Sequence, residues 1–286
     1  MSKDAFQSLW IGHRLSMMEL LSIQSFLHFG YEYHLYCYEE IENVPSGVTV
    51  RDGREILPAD EIFFYRRGFG KGSPACFSDM FRYKMLLEKG QWWVDTDVVC
   101  VQPFDFQGDH VLGNQRELRG ESLNNAVIKA PAGSPLAAFC YDACLRIDRK
   151  KTRWGETGPR LMQKAIDTLG MSDAVQPPTA FYPIDYWKME GFFENGQLPA
   201  ETRGVHLWQA MWKSGGIDPE GRFPPKCLYE QLRRRFLTDY IPPNLSERPY
   251  QPIAEDLANA AASPKPKPPK KPRRGMRSIL PWKKAG

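Results

Sequence analysis

Trp92-Trp93-Val94-Asp95-Thr96-Asp97-Val98-Val99-Cys100-Val101 is the stretch on which the reading of this chain turns. Apolar residues lie on both sides of two carboxylates, which predicts a buried strand carrying an acidic pair. In a strand, residues i and i+2 point to the same side, so Asp95 and Asp97 are expected to aim into one site. Two carboxylates brought together among apolar neighbours repel each other and lose hydration, and such a pair commonly serves a cation. Oxygen ligation favours Mg²⁺ or Mn²⁺, which keep positions open for phosphate oxygens. A bound divalent ion can neutralise the charge that grows on a departing diphosphate. An isolated Asp-x-Asp is weak evidence, since its ordinary alternative is a pair of solvated turn carboxylates.

The residues just upstream strengthen the reading. Ser73-Pro74 and Lys89-Gly90 bracket a helix, with Cys76, Met80, Tyr83 and Leu87 at helical spacing. Asp79 and Arg82 stand three apart on that helix and therefore share a face. Further upstream, Phe6 to Ile11 is expected to form a strand ending at Gly12. Ser16-Met17-Met18-Glu19 is a capping box that opens a helix running to about His28, with Gly30 as its left-handed stop. Tyr33–Tyr38 and Val48–Val50 read as further strands. Strand, helix and strand at these lengths predict an α/β fold with right-handed crossovers. Residues 136–148 and 159–169 read as helices, and the chain beyond Pro177 reads mostly as loop.

The 286 residues are 42% hydrophobic and 25% charged, the balance of a globular protein. Aromatic residues reach 13%, with eight Trp, and ring-rich surfaces suit sugars and nucleobases as well as cores. No 18-residue apolar run is present, which argues against a transmembrane helix, and no secretory leader is visible. The six Cys form no Cys-x-x-Cys pair and read as buried thiols in a reducing compartment, so a cytoplasmic protein is expected. Residues 263–286 hold nine of the 38 Lys and Arg and none of the 34 acids, leaving the rest of the chain net acidic. The Pro-Lys pattern there predicts a solvated, disordered tail from about residue 246. Ile279, Leu280 and Trp282 among its cations suit an anionic membrane surface. Nonspecific nucleic-acid binding and an inert solubilising tail are the alternatives, and no specific nucleic acid is expected.

Phe77-Ser78-Asp79-Met80-Phe81-Arg82-Tyr83, Leu86-Leu87, Lys89-Gly90 and Val94-Asp95-Thr96-Asp97-Val98 together resemble a known region. It is the sugar-binding region with a D-x-D motif of family 32-type retaining glycosyltransferases, found also in the large clostridial glucosylating toxins. The similarity extends to Leu9-Trp10-Ile11-Gly12, Asn124-Asn125-Ala126-Val127, Thr157-Gly158-Pro159 and His206-Leu207-Trp208, in the expected order. One departure is Gly90-Gln91, where family members commonly have two glycines.

The resemblance implies a GT-A fold: a Rossmann-like mixed sheet flanked by helices, forming one catalytic domain over residues 1–245, followed by the basic tail at 246–286. It implies transfer of a hexosyl unit from a nucleotide sugar, a UDP-sugar by preference, with retention of configuration. The acceptor would be a saccharide or lipid-linked glycan in capsule, lipopolysaccharide or exopolysaccharide synthesis, with the protein peripheral at the inner face of the membrane. Carried over by position, Asp79 would contact donor ribose or sugar, and Arg82 the sugar diphosphate. Asp95 would contact sugar and ribose while Asp97 ligates Mn²⁺ or Mg²⁺. Trp10 would lie at the nucleobase, Asn125 or Asn124 at the donor sugar, and His206 would be the third metal ligand. Trp208 and Trp212 could floor a sugar or belong to the core, and His13, His28, His34 and His110 are given no role. Front-face attack by the acceptor hydroxyl is expected, since no carboxylate suggests itself as a nucleophile.

The acidic stretch also resembles the strand-end motif of haloacid dehalogenase-type phosphatases, with Asp95 as nucleophile and Asp97 as general acid. That motif normally opens its domain, whereas here it lies well inside the chain with no downstream Lys and acidic pair. A carbohydrate-binding or nucleic-acid-binding protein without catalysis would leave the acidic pair without a task.

Overall fold

Ser16 starts the first helix as the capping box requires: its hydroxyl accepts from the Met18 N–H, and the Glu19 carboxylate reaches back to the Ser16 N–H. The computed structural model describes residues 4–238, and the basic tail expected at 246–286 lies outside them. The first half runs β1 (Ala5–Trp10), α1 (Met17–His28), β2 (Glu32–Cys37), β3 (Val48–Asp52), α2 (Ala75–Lys89), β4 (Gln91–Val94) and β5 (Val98–Cys100). The second continues with β6 (Val111–Arg116), β7 (Glu121–Ala130), α3 (Pro135–Leu145), α4 (Pro159–Leu169), β8 (Val175–Gln176) and α5 (Pro178–Phe181). It ends with β9 (Gly204–His206), α6 (Gln209–Ser214) and α7 (Leu228–Phe236).

Seven strands form a mixed sheet in the order β3-β2-β1-β4-β7-β6-β8. Strands β3, β2, β1 and β4 are mutually parallel, while β7 runs antiparallel to both β4 and β6. This is the mixed α/β sheet flanked by helices expected from the sequence, and its order places the site. After β1 the chain builds outward through β2 and β3, then returns to add β4 on the other side of β1. Open sheets bind ligands where the strand order reverses, outside the carboxyl ends of the strands. Trp10 closes β1 there, and Asp95 follows the last residue of β4.

Strand alternation divides the core between the two faces of the sheet. Phe6, Trp92 and Val94 face α1 and the C-terminal segments, in a ring-rich core where Phe6 stacks on Trp92 at 5.3 Å. Leu9, Tyr36 and Trp93 face α2, α3 and α4 on the other side. The apolar stripe on α2 is wider than its spacing predicts, because Phe77, Phe81, Met85 and Leu86 are buried as well. All six Cys are buried free thiols. Among the described residues, no helix is long and apolar enough to cross a membrane.

Three expectations need correction. Strand β4 ends at Val94, so Asp95-Thr96-Asp97 is a turn and not part of a continuous strand. After it β5 leaves the main sheet and pairs antiparallel with β9 in a separate ribbon. The helix predicted over 136–148 ends at Leu145. The region beyond Pro177 holds α5, β9, α6 and α7 in addition to loops.

The departure at Gly90-Gln91 has a backbone cost. Gly90 has φ 67°, and a Cβ there would lie 2.4 Å from the Ala132 nitrogen, so only glycine fits. Gln91 is also left-handed, at φ 74°, where an L side chain is disfavoured by about 1 kcal/mol. Its side chain is exposed and makes no hydrogen bond among the described residues. Gln91→Gly is therefore expected to stabilise the fold by about 0.5 kcal/mol, after the larger entropy of unfolded glycine is subtracted. Urea unfolding of the two proteins measures the difference, and a loss of stability would contradict the strain argument.

Candidate active site

The site is built outward from Arg82, a buried cation on α2. Its guanidinium lies 2.9 Å from Asp95 Oδ1 and 3.3 Å from Asp79 Oδ1, donates to the Asn125 carbonyl, and stacks on the Trp93 ring at 4.8 Å. Asp79 is held by further partners: Asn125 Nδ2 donates to one oxygen at 2.7 Å and Thr157 Oγ1 to the other at 2.7 Å. Asp79, Arg82 and Asn125, far apart in sequence, thus form one buried network. In this structure both Asp79 oxygens face protein donors, so its carboxylate orients Arg82 and Asn125. Asn124 also points inward, donating to Gln115 and accepting from the Ala126 N–H at 2.7 Å.

Asp95 Oδ1 accepts from Trp93 Nε1 at 2.8 Å as well as from Arg82. The Asp95 N–H donates to the Ala126 carbonyl, tying the turn to β7. Asp97 is fixed differently. The β5–β9 pairing sets Val98 opposite His206, and the Leu207 N–H extends the ladder to the Asp97 carbonyl. His206 Nε2 therefore lies 3.2 Å from Asp97 Oδ1, while the Gln209 N–H donates to Oδ2 at 2.8 Å. Cross-strand register, and no local sequence pattern, brings histidine and aspartate together.

The two carboxylates diverge electrostatically. Burial pushes both upward in pKa, but at Asp97 the imidazole and the Gln209 N–H outweigh it and hold the group below the ordinary range. Asp95 stays above that range, because burial and the neighbouring Asp97 charge prevail over Arg82. Asp97 is thus the firmer anion of the pair.

Ligand atoms of Asp95, Asp97 and His206 lie within 4.8 Å of one another. The ring nitrogen of His206 that faces away from Asp97 is buried without a partner among the described residues, as are the Tyr182 hydroxyl and Trp10 Nε1. Buried polar atoms are normally satisfied, and an unpartnered imidazole nitrogen on a residue of this acidic cluster marks a place shaped for something else. Two carboxylate ligands and an imidazole fit Mn²⁺ or Mg²⁺, the imidazole tilting the choice toward Mn²⁺. Trp208 lies against His206 with ring centroids 4.1 Å apart, and its Nε1 donates to the Ile184 carbonyl at 2.8 Å. Its backbone is left-handed at φ 61°, a strain that clusters at functional sites. Trp212, in contrast, packs among Phe193, Phe223 and Tyr229 in the core.

No local signal marks Tyr182, Gln209 or the second task of Glu19. The Glu19 carboxylate is fully buried and accepts from Gln209 Nε2, while the Gln209 N–H binds Asp97. A capping glutamate ordinarily faces water, so nothing in the motif marks this one as a support for the site. Burial raises its pKa from 4.5 to about 7. The folded chain therefore keeps this proton over a range where the unfolded chain has lost it. The contribution of Glu19 to stability is greatest below pH 4.5 and falls as pH rises to about 7, by roughly 3 kcal/mol in total. Glu19→Gln is expected to abolish that slope. Urea unfolding from pH 4 to 8 checks this, and parallel curves for the two proteins would contradict it.

The chain is similar to known glycosyltransferases over part of its length. The family described as "Alpha 1,4-glycosyltransferase conserved region" matches residues 131–236, which include Thr157-Gly158-Pro159 and His206-Leu207-Trp208. Lactosylceramide 4-alpha-galactosyltransferase of Mus musculus is 28% identical over 176 residues, covering 56% of this chain and 46% of the mouse protein. These matches support a family 32-like glycosyltransferase. The gorilla (Gorilla gorilla gorilla) lactosylceramide 4-alpha-galactosyltransferase is 25% identical over 230 residues, covering 71% of this chain and 64% of the relative. The chain thus spans between about half and two thirds of the length of these relatives. Among solved structures, the PaToxG glycosyltransferase superposes with a TM-score of 0.44 at 19% identity, over 58% of this chain and 68% of that one.

Proposed function

We propose that this glycosyltransferase moves a hexosyl unit from a UDP-sugar to a saccharide or glycolipid acceptor with retention of configuration. The convergence of Asp95, Asp97 and His206 at the sheet's switch point, beneath the buried Arg82 network, carries the reading. Asp97 and His206 would hold a divalent ion, with Asp95 sharing it and meeting the donor sugar. When bound, that ion supplies positive charge against the leaving diphosphate. Arg82 faces the same region, and its fixed charge costs no reorganisation as negative charge develops. Trp10, half-buried at the end of β1, offers a ring for the nucleobase, and Asn124 and Asn125 border the donor sugar. Asp79 acts beneath them by holding Arg82 and Asn125 in place.

Every carboxylate of the network is engaged by protein donors, which suits front-face attack by the acceptor hydroxyl better than a covalent glycosyl-enzyme. A trapped adduct would overturn that mechanism. The names of the two mammalian relatives favour galactose as the sugar and a lactosyl glycolipid type of acceptor. A cytoplasmic setting, a role in surface-glycan synthesis and tail-mediated contact with the inner membrane face complete the proposal. The phosphatase reading fares less well, because β4 has an antiparallel neighbour in β7 and Asp95 is tied to Arg82 and Trp93.

The test is a melting-temperature screen of nucleotide sugars with and without Mn²⁺. A ligand at a hundred times its Kd stabilises by about 2.7 kcal/mol. UDP-sugars with Mn²⁺ are expected to shift the transition, and the complete absence of a shift would overturn the donor assignment.

A further inference from the structure

Two loops on the side of the molecule bearing α4 form a surface to which the proposed transfer reaction assigns no role. A shallow cleft of about 330 Å³ is lined by Arg67, Lys151, Arg153, Glu156 and Arg160, four cations to one acid. Among the described residues the side chains of Arg67, Arg153 and Arg160 have no ion-pair partner, and Lys151 pairs only with Asp148 at 3.1 Å. Unneutralised arginines converging on a cleft leave a site suited to a phosphate group.

Aromatic rings stand beside these charges. Phe69 is 45% exposed and Trp154 37%, two of the few large apolar side chains on the surface. They are held in place: Trp154 meets Phe69 edge-on at 4.9 Å and Tyr65 at 5.3 Å. Gly70 allows this closeness, since a Cβ there would lie 2.3 Å from the Trp154 ring. Aromatic rings set among cations are what an interfacial surface on an anionic bilayer requires, the rings entering the headgroup layer and the charges meeting phosphate. The same loop continues into Thr157, whose hydroxyl binds Asp79 and whose carbonyl accepts from Tyr83, so this face adjoins the wall of the donor site.

We propose that this face docks the folded domain onto anionic lipid, with a headgroup phosphate in the Arg67–Arg153–Arg160 cleft and Phe69 and Trp154 in the interface. Docking there would hold the wall of the donor site close to the plane where lipid-linked substrates lie. Each cation near an anionic surface strengthens binding by about fivefold. The rings favour a bilayer over a polyanion that offers charge alone, and the RNA arm of the test separates a bilayer from a single-stranded nucleic acid.

Co-sedimentation of the full chain with phosphatidylglycerol-containing vesicles, against pure phosphatidylcholine, tests the idea. R67E/R153E/R160E is expected to weaken binding to the anionic vesicles at least tenfold. Trp154→Phe is expected to remove part of the fluorescence quenching by brominated phosphatidylglycerol. The triple variant should keep the parent's melting temperature and its Mn²⁺-dependent shift with UDP-sugars. If it melts lower, R67Q/R153Q takes its place with a proportionally smaller loss. Unchanged vesicle binding by these variants would overturn the proposal. So would protection of the cleft by inorganic phosphate in a chain that binds no vesicles, or loss of RNA binding with vesicle binding intact. The vesicle-binding outcomes do not depend on the donor being a UDP-sugar, and failure of the donor screen would leave vesicle binding untouched.

Discussion

Asp97→Asn abolishes the Mn²⁺-dependent melting shift with UDP-sugars and lowers transferase activity by at least a thousandfold. Two effects combine in that expectation. The amide removes a charged ligand from the Asp95–Asp97–His206 cluster, and it removes the anion that the His206 ring and the Gln209 N–H hold below the ordinary carboxylate range. Losing one preorganised electrostatic contribution to a transition state costs about 2.7–4 kcal/mol, a factor of 10²–10³ in rate. Losing the ion's own charge adds to it. The fold should survive, since the asparagine oxygen can still accept from the Gln209 N–H and repulsion with Asp95 is relieved. A variant whose melting temperature without ligand stays within a few degrees of the parent, yet shows no Mn²⁺ shift, is the expected result. An undiminished shift would remove Asp97 from the metal site.

Arg82→Met is expected to be the most destabilising single change at the site. It leaves Asp79 and Asp95 buried without their cation, and breaking a buried ion pair from one side costs about 3–5 kcal/mol. For a domain of this size that is a fall in Tm of about 10 °C or more. Burial already holds both carboxylates above their ordinary range with Arg82 present, so removing the cation raises them further. A carboxylate raised in the folded state loses stability as pH rises, so the defect should be largest at neutral pH and shrink toward pH 4. Arg82→Lys keeps the charge but not the planar fork that spans both aspartates, and should fall between the two. The double variant Asp79→Asn with Arg82→Met isolates the pair: a cost well below the sum of the single variants shows the coupling, and strict additivity would contradict it.

The first half of the fold was legible because its signals are local. The Ser16–Glu19 box, the Gly30 stop and the Ser73 and Gly90 boundaries of α2 each act within a few residues, and each appears at or within about one residue of its expected place. Local reading failed where long-range pairing decides the structure. From Trp92 to Val101 the apolar pattern looks continuous, and only pairing with Gly204–His206 draws Val98–Cys100 out of the main sheet. Asp95 and Asp97 still converge, but through a turn tied to β7 and β9 instead of strand alternation. The helix α7 had usable signals in Cys227, Glu230 and the run Arg233–Arg235, yet Pro and Gly around it masked them.

The candidate site residues divide along the same line. Asp79, Arg82, Asp95, Asp97 and His206 could be named from motif order, and the structure brings all five into one neighbourhood. Their supports could not be named. Glu19 announces itself only as a capping residue, and Tyr182 lies in a stretch read as loop.

The ribbon of β5 and β9 also has a bearing on how the chain resists proteolysis. Asp97 and Gln209 are 112 positions apart, and a three-residue ladder is the chief backbone link where their segments meet. A cation shared by Asp97 and His206 would close that long excursion of chain as a cross-link does, reducing the freedom of the opened state more than that of the closed one. The C-terminal segment carrying α6 and α7 would then be clasped or released according to the supply of the ion. Protease sensitivity downstream of β9 would report how much Mn²⁺ the molecule holds.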